Sequence, residues 1–226
     1  DSIQSIQKKK TNYTENITGR LSAASYSTLS KIRGDNHRFM TRFSLEANHI
    51  NNSKFSVETY LNYRYNIYSN ERTNNLSPSE LNVFNMALRY DIDSTFSVTA
   101  GRKINYKISS LGAIDGLQAE KFFGKSYVGV IAGFRPDIYD FTFNTNLLQY
   151  GGYIGQMTDH ENFYSQTTLG FAEQKNDNEI DRRFAYFQHS STIFKNLNVF
   201  STLELDLYNK VNDTVKENIR VTNLYV

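Results

Sequence analysis

The sequence predicts an all-β chain, an antiparallel up-and-down transmembrane β-barrel of about twelve strands, standing alone or as part of a larger barrel. Three observations predict it. Hydrophobic and polar residues alternate with a period of two over segments far longer than the roughly five or six residues of an ordinary strand. Connections alternate between tight and long, as in a barrel with turns on one rim and loops on the other. The composition suits strands: 16 Tyr, 16 Phe and only 2 Pro among 226 residues, which favours extended backbone and leaves hydrogen-bonded ladders unbroken.

The clearest strand lies near 54–68. Phe55, Val57, Thr59, Leu61, Tyr63, Tyr65 and Ile67 share one face, and Ser56, Glu58, Tyr60, Asn62, Arg64, Asn66 and Tyr68 the other. Before it, near 37–49, Phe39, Thr41, Phe43, Leu45 and Ala47 alternate with Arg38, Met40, Arg42, Ser44, Glu46 and Asn48. Near 81–92, Phe84, Met86, Leu88, Tyr90 and Ile92 oppose Asn85, Ala87, Arg89 and Asp91. Near 197–208, Leu197, Val199, Ser201, Leu203, Leu205 and Leu207 oppose Asn198, Phe200, Thr202, Glu204, Asp206 and Tyr208. Further strands are expected near 95–104, 113–123, 126–134, 140–150 and 216–226, with weaker alternation near 17–32, 162–173 and 181–194. The mean repeat, roughly 18–19 residues, fits a membrane strand plus its connection.

Tight links are read at Asn51-Asn52-Ser53, Asp93-Ser94, Gly124-Lys125 and Lys195-Asn196, and long ones at 69–80, 105–112, 174–180 and 209–215. The tight ones mostly follow even strands. Arg33-Gly34-Asp35-Asn36 breaks the rule, being short where a long loop is due. Residues 1–15 are polar and aperiodic and read as a flexible lead-in, with the barrel over 16–226.

Several function classes fall away. A formal net charge of +2 gives no nucleic-acid footprint. The absence of cysteine removes disulfides, thiolate metal sites and Cys nucleophiles. Mean hydropathy is −0.55, and the longest apolar run, Tyr127–Phe134, falls well short of the roughly 20 residues of a spanning helix. The four histidines, His37, His49, His160 and His189, stand in no metal-ligand spacing. Asp159-His160 and His189-Ser190-Ser191 are the only adjacent catalytic candidates, and neither has a flanking motif. No enzyme activity, cofactor or metal is expected.

The functional candidates are the charged residues in the polar phase: Arg42, Glu46, Glu58, Arg64, Arg89, Asp91, Lys103, Glu204 and Asp206. Facing a lumen, they would either tune a channel or hold it shut by cross-strand ion pairs. Tyr63, Tyr65, Tyr68, Tyr90, Phe96, Phe122, Phe123, Phe134, Phe141 and Tyr150 lie near strand ends, where interfacial girdles are expected. Gly129 and Gly133 share the inward phase with Tyr127 and Ile131, leaving room for an aromatic ring or an inserted loop.

The stretch 101–137, with Gly101-Arg102, Ser110-Leu111-Gly112-Ala113-Ile114-Asp115-Gly116-Leu117 and Gly133-Phe134-Arg135-Pro136-Asp137, resembles porin-like outer-membrane β-barrels of Bacteroidota. The resemblance covers strand style over most of the chain and motifs only over this stretch. It implies an outer-membrane location, contact with membrane lipid and lipopolysaccharide or other outer-membrane subunits, and a structural wall role for the glycine segment. It assigns no solute. The function expected is passage of small solutes through a polar lumen; the alternatives are a non-transporting barrel anchoring a larger assembly (secretion, lipoprotein display or adhesion) and a soluble secreted β-sandwich that binds a ligand. The opening Asp1-Ser2 and the ending Tyr225-Val226 lead to the expectation of a portion of a longer barrel, its open edge completed by further strands or a partner.

Overall fold

A computed structural model describes residues 13–32, 34–68, 79–194, 196–211, 214–216 and 219–226. The strands are β1 (Asn16–Thr28), β2 (Asn36–Asn48), β3 (Phe55–Tyr68), β4 (Ser79–Asp91), β5 (Phe96–Ile104), β6 (Ala113–Phe123), β7 (Ser126–Phe134), β8 (Leu147–His160), β9 (Phe163–Asn176), β10 (Glu179–Ile193), β11 (Leu197–Val211), β12 (Thr214–Lys216) and β13 (Arg220–Tyr225). Each pairs antiparallel with its sequence neighbour in one continuous sheet, and β12 and β13 both pair with β11, sharing the twelfth position. Among the described residues the sheet is not closed: β1 pairs with β2 alone.

The expected alternation sorts side chains to two faces. Glu46 stands opposite Glu58, and Glu58 opposite Ala87. The same row continues through Gly101, Gly116 and Gly133. This face is concave. Along the row the strands approach so closely that a Cβ on Gly116 or Gly133 would run into the facing backbone, and glycine is what lets a sheet bend this sharply. The convex face carries Phe43, Val57, Leu88, Leu117, Val130, Ile154 and Leu169.

The connection between β5 and β6 turns inward. Asn105 ends β5, and its side chain accepts from the Lys107 backbone N–H at 3.0 Å, starting a short 3-10 segment, Tyr106–Leu111. This inner loop crosses the concave face to reach β9 and β10. The core forms beneath it from Ile108, Leu111, Ile114, Tyr127, Ile131, Tyr153, Ala172, Phe184 and Tyr186. The space foreseen beside Gly129 is taken by an aromatic ring: Tyr153 lies where a Gly129 Cβ would stand, and Tyr127 does the same over Gly155.

Three boundaries differ from the sequence reading. The eighth strand, expected at 140–150, runs from Leu147 to His160, and 135–146 is a long loop. Phe141 and Phe143 alternate with Thr142 and Asn144 as a strand would. Side chains capture the local donors instead: Asp137 accepts from Tyr139 N–H, Asp140 from Thr142 N–H and Asn144 from Asn146 N–H. Such Asx turns compete with the ladder. The long loop expected at 174–180 is a two-residue hairpin turn, with Asp177 and Asn178 at φ 49° and 70°, the left-handed pair that type I′ hairpins require. The stretch 209–215 is largely strand, Val211 pairing with Thr214. The tight links otherwise fall as expected on one rim. The expected lead-in lies mostly outside the described residues; of its last three, Tyr13 stacks at 4.7 Å on His49, and Glu15 accepts from the Asn51 N–H.

Candidate functional site: the concave face

The nine charged residues proposed from sequence occupy the concave-face phase of their strands, and most meet partners of opposite sign. Glu58 on β3 accepts from Lys103 on β5 at 2.6 Å and from Asn85 on β4 at 3.2 Å. Arg89 and Asp91 pair along β4 at 2.8 Å, and Asp91 holds His49 at 2.9 Å across the turn. Arg64 pairs with Glu80 across β3 and β4. Glu204 and Asp206 together clasp Arg182 of β10, each at 2.6 Å. Among the described residues Arg42 and Glu46 form no such ion pair; Glu46 accepts from Asn48 at 2.9 Å. Glu80 and Arg182 were not among the residues singled out from sequence; Arg182 sits in phase, while Glu80 reaches this face because the bulge at Phe84 shifts the phase of β4. Strand pairing, which brings them within reach, is not written in a single segment.

Around the inner loop lies a buried polar network that alternation alone does not announce. Lys107 is 2% exposed. Its ammonium pairs with Glu120 and sits 4.5 Å from the Phe122 ring centre and 4.4 Å from that of Tyr127. Burial pulls its pKa down from the ordinary lysine value, opposed by Glu120. Burial, with Glu120 adding to it, pushes Tyr106 up to about 12. Asn105 donates to the Tyr153 hydroxyl at 2.8 Å and to Gln118 at 3.2 Å, and Tyr153 donates onward to Glu120 at 2.8 Å. On the far side Gln188 donates to the Tyr106 carbonyl at 2.8 Å and accepts from Ser109 at 3.0 Å. These bonds anchor the loop at Asn105, Tyr106, Lys107 and Ser109, so it is fixed rather than merely folded over.

The concave face therefore has two halves. Over β5–β10 it is filled by the inner loop and its core. Over β1–β4 it is open and polar, bearing Arg20, Arg42, Glu46, Tyr60, Asn62 and Asn85. A cavity of about 300 Å³ lies here among Arg20, Ser44, Glu46, Glu58 and Asn85. No protein-family model matches this chain, and neither does any curated protein. The site must be read from its own chemistry.

That chemistry is mixed-sign and amide-rich. Among the described residues no group of three or more His, Asp or Glu side chains forms a metal cluster. Among the described residues His189 bonds Thr167 at 2.9 Å and Ser191 at 3.3 Å, two hydroxyls. His160 stands exposed at the end of β8. What the open half offers is hydrogen bonding to polar solutes and a choice of charge.

On the convex face the expected aromatic belts divide. Tyr63, Tyr65, Tyr90, Phe123 and Tyr150 are exposed there, toward the two rims. Phe122 instead turns inward against the core, and Phe141 belongs to the 135–146 loop. The Tyr68 side chain lies outside what is described. Two ion pairs sit on this face near the loop rim. Arg183 pairs with Glu173 at 2.6 Å, and Arg102 makes a two-pronged pair with Asp115.

Proposed function

We propose that the chain is a porin-like outer-membrane β-barrel, or much of one, passing small polar solutes along its concave face. The observation that carries this reading is the broad apolar surface on the convex side of most of the long strands. Leu21, Leu88, Leu117, Val130, Ile154 and Leu169 are exposed on the convex face. Charges and amides are gathered on the other face. In water so broad an apolar surface is a liability; against hydrocarbon it is the surface a spanning barrel needs.

The unpaired edges point the same way. β1 is exposed at every residue, and its free backbone groups call for a pairing strand, most of all in a bilayer. In the up-and-down order β1 and β13 run antiparallel to one another, so the sheet closes by pairing them, directly or through further strands. Outer-membrane lipid and lipopolysaccharide would then contact the convex face. The solute path would follow the open half, past Arg42, Glu46 and Arg64, because the inner loop occupies the other.

A second reading, a barrel subunit that anchors an assembly and conducts nothing, is favoured by the fixed inner loop and the extensive ion pairing. Conductance decides between them. The refolded protein, shown folded by a heat-dependent shift on SDS gels, is expected to form ion channels in planar bilayers. Folded samples that never conduct would overturn transport; a gel mobility indifferent to boiling would overturn the barrel.

A further inference from the structure

The wall has a notch. β4 pairs with β5 only from Asp91 to Met86, where Met86 faces Arg102. Beyond that point β4 continues through Ser79–Asn85 with β3 as its only strand partner, while β5 ends at Ile104 and the chain turns inward. β7 also stops early, at Phe134. The gap is about 20 Å along β4 at the usual strand rise, and the loop 135–146 reaches it. Phe84, the extra residue of a bulge in β4, meets Phe141 of that loop with ring centres 4.6 Å apart. Phe134 meets Phe143 at 5.5 Å.

Arg102 is the keystone. It is 9% exposed, on the convex face. Besides its paired bonds to Asp115, it donates to the Val83 carbonyl at 2.8 Å and to that of Phe141. One guanidinium thus ties β4, β6 and the loop together. A buried ion pair adds little net stability, but this one sets where the loop lies. Under the loop runs an open groove of about 600 Å³ walled by Val83, Met86, Leu117, Phe141 and Phe143, with Arg102 and Asp115 as its floor. That volume falls within the range of ligand sites, roughly 300–1,000 Å³.

We propose that this notch binds the acyl chain of a single-chain amphiphile. The walls are aliphatic and aromatic. The only charged groups present satisfy one another and two carbonyls, so a polar ligand would find little to bond. The groove is open, and Met86 and Leu117 of its wall are exposed on the convex face, so a chain can reach it from that side. The proposal rests on the convex face being the lipid-facing one.

The chain contains no tryptophan, so a single introduced indole reports on its own position. Full-length folded F143W in nonionic detergent is titrated with dibromostearate, with V130W, on the convex face of β7, as the comparison. Quenching of F143W is expected at a concentration at least tenfold lower than for V130W. Adding L117K, or M86K if that variant fails to fold, is expected to abolish the difference. Equal midpoints, or an advantage that survives the added lysine, would overturn the site. Vesicles of dibrominated phosphatidylcholine test the lipid-facing reading separately: V130W unquenched there sinks that reading, whatever the detergent titration shows for the groove.

Discussion

The two halves of the concave face start from the same strand code and end in different structures. β2 and β3 alternate with near-perfect regularity, and their concave side stays open, lined by Arg42, Glu46, Tyr60 and Asn62. β9 and β10 alternate less cleanly, yet with β7 and β8 they hold the core: Tyr127, Tyr153, Phe184 and Tyr186 are all at most 4% exposed. Regular alternation marks a strand with water on one side and apolar matter on the other. Where a loop folds in, the inner face must become partly apolar, and the period fades because both faces are then hydrophobic. Of the blurred segments, β9 and β10 are packed in this way, while β1 is exposed along its whole length.

That contrast is open to direct tests, and the largest effect is expected in the packed half. Phe184→Ala should destabilise the fold by about 3–5 kcal/mol, the usual cost of emptying a core phenylalanine site; denaturant unfolding in detergent measures it. Lys107→Met should cost on the order of 3 kcal/mol by leaving Glu120 without its cation. Adding Glu120→Gln to that variant should recover part of the loss, and a double mutant no more stable than the single would show that the pair does not hold the loop.

Gly129→Ala should cost about 1–3 kcal/mol by overpacking against Tyr153. Tyr153→Ala made alongside it should cancel that increment, so the two changes should cost less together than their separate effects summed. In the open half, Arg42→Gln should change stability by no more than about 0.5 kcal/mol, while shifting the reversal potential of the proposed channel toward cation preference. A loss of stability there comparable to Phe184→Ala would erase the distinction between the halves.

Much of the architecture is legible in the residues. The phase of β2, β3, β4, β5 and β11 placed all nine candidate charges on one face, because a period of two sends alternate side chains to the same side. A loop at 105–112 and the ring space at Gly129 follow from a polar break and from glycines in an inward phase, while the inward course of that loop does not. The 135–146 loop did not follow: phenylalanine at every second place imitates a strand when the competing Asx turns go unweighed. The Asp177-Asn178 turn escaped notice because polar residues at a hairpin look like any polar loop. Glu80, Arg182 and the Lys107–Glu120 network depend on which strands lie side by side, which no local window contains.

By itself, then, the sequence determined that this chain is a meander of long antiparallel strands with a polar face and an apolar one, since that is a property of spacing along the backbone. Tertiary structure alone decided which part of the polar face is filled. Lys107 can be buried only because the sheet curls to bring Glu120, Phe122 and Tyr127 around it. The notch in the wall exists only because β5 and β7 stop while β4 runs on. Register and curvature are relations between strands far apart in the chain, and no run of residues carries them alone.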